Sequence, residues 1–187
     1  MKKLLLLFFC PLLAMSAFSQ EVVSDRIIDG RRYVSTDEFR LTGVIEKVKQ
    51  FYSVSAYQTY EGENVYMIDL RTNWPNPFRI EKGMKLLFKT TKEEIVMLEA
   101  IETIDIDAMT YLPGLKVSVY TGTSSYEISV EDVMKINEGI TKVRIETTAG
   151  NIDKELYTDR LGKFIVKGYR RTRKALNTKR PDITDGF

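Results

Sequence analysis

Short segments of alternating apolar and polar residues follow one another between residues 51 and 156, and they constrain the fold more than any other feature. Residues 52–57 alternate in this way, and residues 65–71 repeat the pattern after a turn at 61–64. A period of two is typical of a strand with one buried face. Similar segments, separated by turn residues, lie at 84–89, 94–102, 115–120, 142–147 and 152–156. The sequence therefore predicts a β-rich antiparallel sheet of meandering hairpins.

One of these segments differs from the others, because four apolar residues follow one another from Ile95 to Leu98. A continuous apolar run favours a strand that is covered on both faces. We therefore expect 94–102 to form a central, well-buried strand.

Two segments have the periodicity of helices. Ser129 and Asp132 resemble a capping box, and Gly139 closes the short helix that follows. Thr158 or Asp159 is expected to cap a longer C-terminal helix, whose apolar stripe comprises Leu161, Phe164, Ile165, Gly168, Thr172, Ala175 and Leu176. The predicted fold class is α+β, with one short internal helix and a C-terminal helix.

The N-terminal part of the chain has little periodicity. Residues 20–38 are polar, so we expect a flexible N-terminal segment in which 31–34 form at most a short edge strand. Residues 39–50 fit a helical stripe, but their poor helix formers favour extended structure. A single α+β domain is predicted over 39–178, followed by a tail at 179–187.

The first 19 residues predict export. Lys2 and Lys3 precede a largely apolar run over 4–13, and Ala17 and Ser19 stand three and one positions before Gln20. This is the pattern of a secretory signal peptide, and the apolar run is shorter than the roughly 20 residues that span a bilayer. We expect cleavage before Gln20 and a periplasmic location, with the outer surface or the medium as alternatives.

Cysteine and histidine usage excludes several kinds of site. Cys10 is the only cysteine, and it lies inside the predicted signal peptide. Lipidation of Cys10 is the weaker alternative, because bulky residues precede it at 7–9. The processed chain can form no disulfide, and packing must stabilise it. Histidine is absent, so zinc sites, Ser-His-Asp triads and imidazole acid–base chemistry are excluded. No cofactor is expected.

Charge divides the processed chain into an acidic body and a basic end. Residues 20–159 contain 17 basic and 24 acidic residues, whereas 160–180 contain nine basic and no acidic residues, among them Arg170, Arg171, Arg173 and Lys174. A solvated helix face is the favoured interpretation. The alternative is an anion-binding arm for lipid head groups, acidic glycans or a partner protein. No nucleic acid is expected as a partner, since the chain lacks an aromatic-basic motif.

Aromatic residues are further candidates for a binding surface. Trp74 lies in a proline-rich loop at 73–77, where covering the end of the sheet is favoured over forming an exposed stacking platform. Tyr57 and Tyr66 belong to a tyrosine cluster on one predicted hairpin, where tyrosine pairs commonly stabilise a sheet. If these rings share a solvent face with Trp74, that face becomes a candidate binding surface.

Carboxylate pairs are the remaining candidates for catalysis. Asp105 and Asp107 can face one side of an extended segment, and further pairs lie at 61/63 and 93/94. Such pairs can hydrolyse glycosidic bonds without histidine. They could also bind Ca²⁺, but Asp105 and Asp107 lack the glycine and distal glutamate of an EF-hand. Solvated acidic loops are therefore favoured. Ser124 and Ser125, expected in a loop, lack the S-x-x-K spacing of a serine–lysine hydrolase.

The segments 82–89, 126–133 and 139–146 together resemble parts of small exported bacterial proteins that remain uncharacterised. The similarity extends over roughly residues 50–176 and consists of a hairpin turn, a helix cap and a strand. It implies the order of elements and export, and it transfers no catalytic residue.

Two functional hypotheses follow. The first is an exported, non-catalytic domain that binds an envelope component or a partner protein, with contact of the C-terminal helix with an anionic membrane surface as a weaker variant. The alternative is a glycan-binding module or a carboxylate-dependent carbohydrate-active enzyme. An exposed Trp74 beside a cleft holding Asp105 and Asp107 would favour the alternative.

Overall fold

The computed structural model describes residues 22–41, 49–114 and 116–178. The predicted signal peptide, Cys10, the segment 42–48 of the ambiguous region and the C-terminal tail lie outside the described residues. The described strands and helices, in chain order, are β1 (Val22–Ile28), β2 (Arg31–Thr36), β3 (Phe39–Arg40), β4 (Lys49–Gln58), β5 (Asn64–Trp74), β6 (Phe78–Ile80), β7 (Lys85–Thr90), β8 (Ile95–Glu99), β9 (Ile104–Ile106), β10 (Ala108–Leu112), β11 (Val117–Glu127), α1 (Val130–Ile136), β12 (Ile140–Ile145), β13 (Ile152–Glu155) and α2 (Arg160–Asn177).

The larger sheet has seven antiparallel strands in the order β1-β2-β4-β5-β11-β10, and β3 pairs with β4 beside this path. The predicted hairpin of β4 and β5 is confirmed, with pairing from Lys49↔Asn73 to Gln58↔Asn64. The alternation of apolar and polar residues determines which face of the hairpin points to the core, and Val54, Ile68 and neighbouring residues of that face are buried.

Two smaller sheets complete the structure. Four antiparallel strands have the order β13-β12-β7-β8, and β6 pairs with β9. One hydrophobic core joins the sheets and helices, with contributions from Leu70 of β5, Phe88 of β7, Ile145 of β12 and Ile165 of α2. The predicted α+β class, rich in antiparallel strands and with one short and one C-terminal helix, is confirmed.

Both helices lie where the sequence predicts them. Ser129 caps α1 through the backbone N–H of Asp132, and the Asp132 carboxylate accepts from the Ser129 N–H, which confirms the capping box. Asp159 is the N-cap residue of α2 but makes no side-chain capping bond. Its Oδ1 instead accepts from the Ile140 N–H at 3.0 Å, so this carboxylate joins the start of α2 to β12.

The N-terminal region contains more strand than the sequence predicts, and the expected edge strand at 31–34 is part of an inner strand. Strands β1 and β2 form an antiparallel hairpin over 22–36, and β2 pairs with β4. Cross-strand contacts stabilise it, including the Arg32–Asp25 ion pair and the stacked rings of Tyr33 and Tyr57. The Tyr33–Tyr57 contact joins residues that are distant in sequence, so the local pattern does not reveal it.

Two further strands correct the sequence analysis. Strand β8 is an edge strand rather than a central one, and only Val96 and Leu98 of its apolar run are buried. Strand β11 continues to Glu127, so Ser124 and Ser125 lie in a strand rather than in a loop. Gly122 permits this path, because a Cβ there would overlap the side chain of Ile106 on β9.

Candidate functional site

Five basic residues form a line along the solvent side of α2. Arg160, Lys163, Lys167, Arg170 and Lys174 are all exposed and recur at intervals of three or four residues. At 3.6 residues per turn and 1.5 Å rise, they lie within an arc of about 80° and along about 21 Å of the helix. We call these five residues the basic stripe.

The opposite side of α2 is covered by the rest of the protein. Leu161, Ile165, Tyr169 and Thr172 are buried there, where the helix packs on the sheet chiefly through β4 and β2. The predicted apolar stripe is thereby confirmed in its central part. Because this side is already buried, α2 cannot insert it into a bilayer, and only the charged side is available to a ligand.

The stripe does not neutralise the acidic body through ion pairs. Among the described residues, the ion pairs use cations of the strands and loops, such as Arg32, Arg71 and Arg79. Within the same ranges, none of Arg160, Lys163, Arg170 and Lys174 joins an ion pair, whereas Lys167 has an interaction of its own. The stripe therefore keeps most of its charge available at the surface.

The other two predicted cations of α2 lie beside the stripe. Arg171 is half-buried and has an interaction of its own, and Arg173 is exposed. Arg173 lies close enough to Tyr66 to oppose the increase in the pKa of that phenol, which burial and the neighbouring Tyr169 cause. The rings of Tyr66 and Tyr169 are 4.6 Å apart, so Tyr66 serves to pack α2 against β5.

The structure does not bring the predicted aromatic residues to one surface. Tyr57 lies on the sheet face opposite Tyr66, since Tyr66 pairs with Ala56 and side chains alternate along a strand. Tyr57 stacks on Tyr33 at 5.3 Å, beneath the guanidinium of Arg31. Trp74 shares a face with Tyr66 but is eight residues further along β5, about 26 Å away. No common binding face follows from these three rings.

Trp74 is half-buried, and its ring meets that of Phe78 edge-on at 6.1 Å. Phe78 also lines a groove of about 390 Å³ beside Asp105 and Asp107. Both carboxylates are exposed, as expected for the residues on either side of buried Ile106. Asp105 accepts a hydrogen bond from Arg79 Nε at 2.6 Å. This ion pair engages one of the two carboxylates, and it favours a structural role for Asp105 and Asp107 over a catalytic one.

Sequence analysis missed one titratable group. Asp69 in β5 lies directly between Ser53 of β4 and Ser125 of β11, and Ser125 Oγ donates to its Oδ1 at 2.6 Å. Burial raises the pKa of Asp69, while hydrogen bonds from Ser125 and Ser55 partly oppose the increase. The available signal was a single acidic residue inside an alternating strand.

Two features of the described residues bear on the kind of site. Within 22–41, 49–114 and 116–178, no group of three or more acidic side chains is arranged to hold a metal ion. The helices of these ranges include none that is long and apolar enough to cross a membrane.

Comparison with protein-family models, curated proteins and solved structures finds no match for this chain. The basic stripe is therefore the candidate site on its geometry and charge, and the function has to be argued from them.

Proposed function

We propose that the protein is an exported, non-catalytic domain that attaches to an anionic phospholipid surface of the cell envelope through the basic stripe of α2. The observation that carries this proposal is the line of exposed cations, most of them without an acidic partner among the described residues. If the helix face served only to solvate the domain, its cations could form ion pairs with the acidic residues of the rest of the protein.

The shape of the surface favours a bilayer over an acidic glycan. The stripe lies on the convex side of a helix, without the walls and stacking rings that usually orient a sugar. A flat layer of lipid head groups can be contacted by a single line of side chains. Tyr157, three residues before the stripe, is 99% exposed, and tyrosine is well suited to the boundary between head groups and acyl chains. The protein therefore binds at the periphery of the bilayer, and α2 does not insert into it.

The expected strength is moderate and depends on salt. A lysine or arginine near an anionic leaflet contributes about 1 kcal/mol. Replacing Lys163, Arg170 and Lys174 with glutamine should therefore cost about 3 kcal/mol, on the order of a 100-fold loss of partitioning. Raising the ionic strength from about 0.02 M to about 0.5 M should weaken binding of the unaltered protein, because it shortens the Debye length.

Vesicle sedimentation tests the proposal. The experiment uses the protein in the form that is purified from cells. Vesicles of phosphatidylglycerol mixed with phosphatidylcholine should bind it, and vesicles of phosphatidylcholine alone should not. The matched control replaces Arg26, Lys116 and Lys135, three exposed cations of other segments, with glutamine. The control has the same change in net charge and should keep most of the binding.

Three outcomes would overturn the proposal. One is equal loss of binding in the stripe and control variants, which would show a general charge effect. Another is undiminished binding to neutral vesicles. The third is retention on polygalacturonate without binding to anionic vesicles, which would move the stripe to the class of acidic-glycan sites.

The carbohydrate-active alternative has less support. Its acid pair is partly engaged by Arg79, and the ring of Trp74 is half-buried against Phe78. A glycan hypothesis would therefore rest on the open groove, whose remaining free acid is Asp107.

A further inference from the structure

Strand β8 leaves one side of its backbone without a partner strand. It ends the four-stranded sheet, and β7 pairs with its other side. The bonds from Thr90 N–H to Glu94 O and from Ala100 N–H to Met84 O show that even-numbered residues face β7. The peptide groups of Ile95 and Met97 therefore point outward, and no described strand pairs with them, whereas Ala100 already forms a bridge with Tyr126 of β11.

This edge lacks most of the features that usually protect an unpaired strand. Natural edges commonly carry inward-pointing charges, prolines or bulges. Here Ile95 is 58% exposed and Met97 is 54% exposed, and the register with β7 is regular along the whole strand. Only the Lys85–Glu99 ion pair places charge on it. The free edge ends before Ala100, which forms a bridge with Tyr126 of β11, and the Ile101 N–H donates to Ser125 O of the same strand.

A groove of about 600 Å³ runs beside the edge. Met97 and Ile101 line one side, and Glu127, Ser129 and Asp132 line the other. Glu127 is exposed and joins none of the ion pairs among the described residues. Lys82 also lines the groove, but the acids Glu127 and Asp132 outnumber it, so the far wall is acidic, while the near wall offers apolar side chains and the outward peptide groups of β8.

We propose that β8 and this groove bind an extended segment of a partner polypeptide, which adds a fifth strand to the four-stranded sheet. The outward peptide groups would bond to the backbone of that segment. Alternate side chains would then meet Met97 and the acidic wall, so the segment alternates apolar and basic residues. This interaction surface is separate from the basic stripe and does not rest on the proposed function.

Charge argues against a second copy of β8 as the occupant. The segment 94–99 has an acid at each end and no base. Antiparallel pairing of two copies would bring no cation to Glu127 and would place glutamates close to one another. A partner with lysine or arginine at alternate positions avoids both costs.

The probe is a labelled hexapeptide that alternates lysine or arginine with valine or isoleucine, and fluorescence anisotropy with the full chain measures its binding. Two reference peptides have the same side chains with methylated backbone nitrogens, or glutamate in place of the basic residues. Binding of the first peptide, with at least a tenfold loss for each reference peptide, is expected. Hydrogen exchange should show new protection at Ile95 and Met97.

Protein variants locate the site. Met97→Pro removes an outward N–H and leaves the bonds to β7, so it should abolish peptide binding. Met109→Thr, at an exposed methionine of the β10 edge, is the matched control and should bind normally. Glu127→Lys should reverse the preference towards the glutamate peptide. Should Met97→Pro fail to fold, the methylated peptide still tests the backbone contacts.

The proposal is overturned if the basic peptide does not bind, if backbone methylation leaves its affinity unchanged, or if protection appears elsewhere than at β8. The stripe variants at Lys163, Arg170 and Lys174 should bind the peptide normally. The two proposals can therefore fail independently, and the measurements show which of them has failed.

Discussion

Two buried threonines of the larger sheet should respond in opposite directions to the same substitution. Thr72 and Thr36 are 1% and 3% exposed, in β5 and β2. Thr72 Oγ1 has no hydrogen-bond partner among the protein atoms of the described residues. Thr36 Oγ1 donates to Asp37 O at 3.0 Å and accepts from the buried Val54 N–H at 3.1 Å. Valine has the same branched shape as threonine, so the hydroxyl is the main difference.

The magnitude follows from the cost of an unpaired polar group. Leaving a buried donor or acceptor unsatisfied costs about 1–3 kcal/mol. Thr72→Val removes such a group and should raise the free energy of unfolding by about 1 kcal/mol or more. Thr36→Val creates one at Val54 N–H and should lower it by a similar amount. The two variants should differ by at least about 2 kcal/mol, or roughly 4–8 °C in Tm for a chain of this length.

Calorimetry and urea unfolding of the two variants and the unaltered protein, at one pH, measure this difference. Equal m-values would show that the substitutions act on the same two-state transition. A lower stability of Thr72→Val would refute the reasoning, because it would mean that this hydroxyl has a hydrogen-bond partner in solution.

Two further perturbations test the packing around the candidate surfaces. Because burial raises the pKa of Asp69 above its ordinary value of 3.8, its native form binds more protons than the unfolded chain, and stability falls as the pH rises from 3.8 through the native pKa. Asp69→Asn should therefore stabilise the protein at pH 7 and flatten this dependence in urea titrations; destabilisation at pH 7 would contradict it. Gly162→Ala gains about 1 kcal/mol of helix propensity, but its Cβ would overlap the Asp159 carboxylate and lie 3.1 Å from Ile136 O. We expect a lower Tm, and a higher one would show that α2 can move away from α1.

The sequence predicts those parts of the fold whose signal is local. The alternation around Val54 and Ile68 identifies β4 and β5, and Ser129 with Asp132 identifies the start of α1. Strand β1 and the second half of β11 lack a local signal. The pairing of β2 with β4 and the path of β11 depend on contacts between distant residues, such as the Tyr33–Tyr57 stack and the approach of Gly122 to Ile106.

The two candidate surfaces also differ in how far the sequence predicts them. The basic stripe could be anticipated, because both the cations and the apolar positions of α2 follow the helical period. The β8 edge could not, since a continuous apolar run favours a central strand. Only the topology, in which β8 pairs with β7 alone, shows that Ile95 and Met97 are exposed.

Helix α1 connects the two proposed surfaces physically. It contributes Ser129 and Asp132 to the groove, and its last turn meets the first turn of α2 at Gly162. At that contact a side chain at 162 would overlap the Asp159 carboxylate and crowd the Ile136 carbonyl oxygen, and Asp159 also joins the start of α2 to β12. The helix that contributes to the acidic wall of the groove and the helix that carries the stripe are therefore in direct contact. If the stripe attaches the protein to a surface, that attachment also limits how α1 and its groove are presented to a partner.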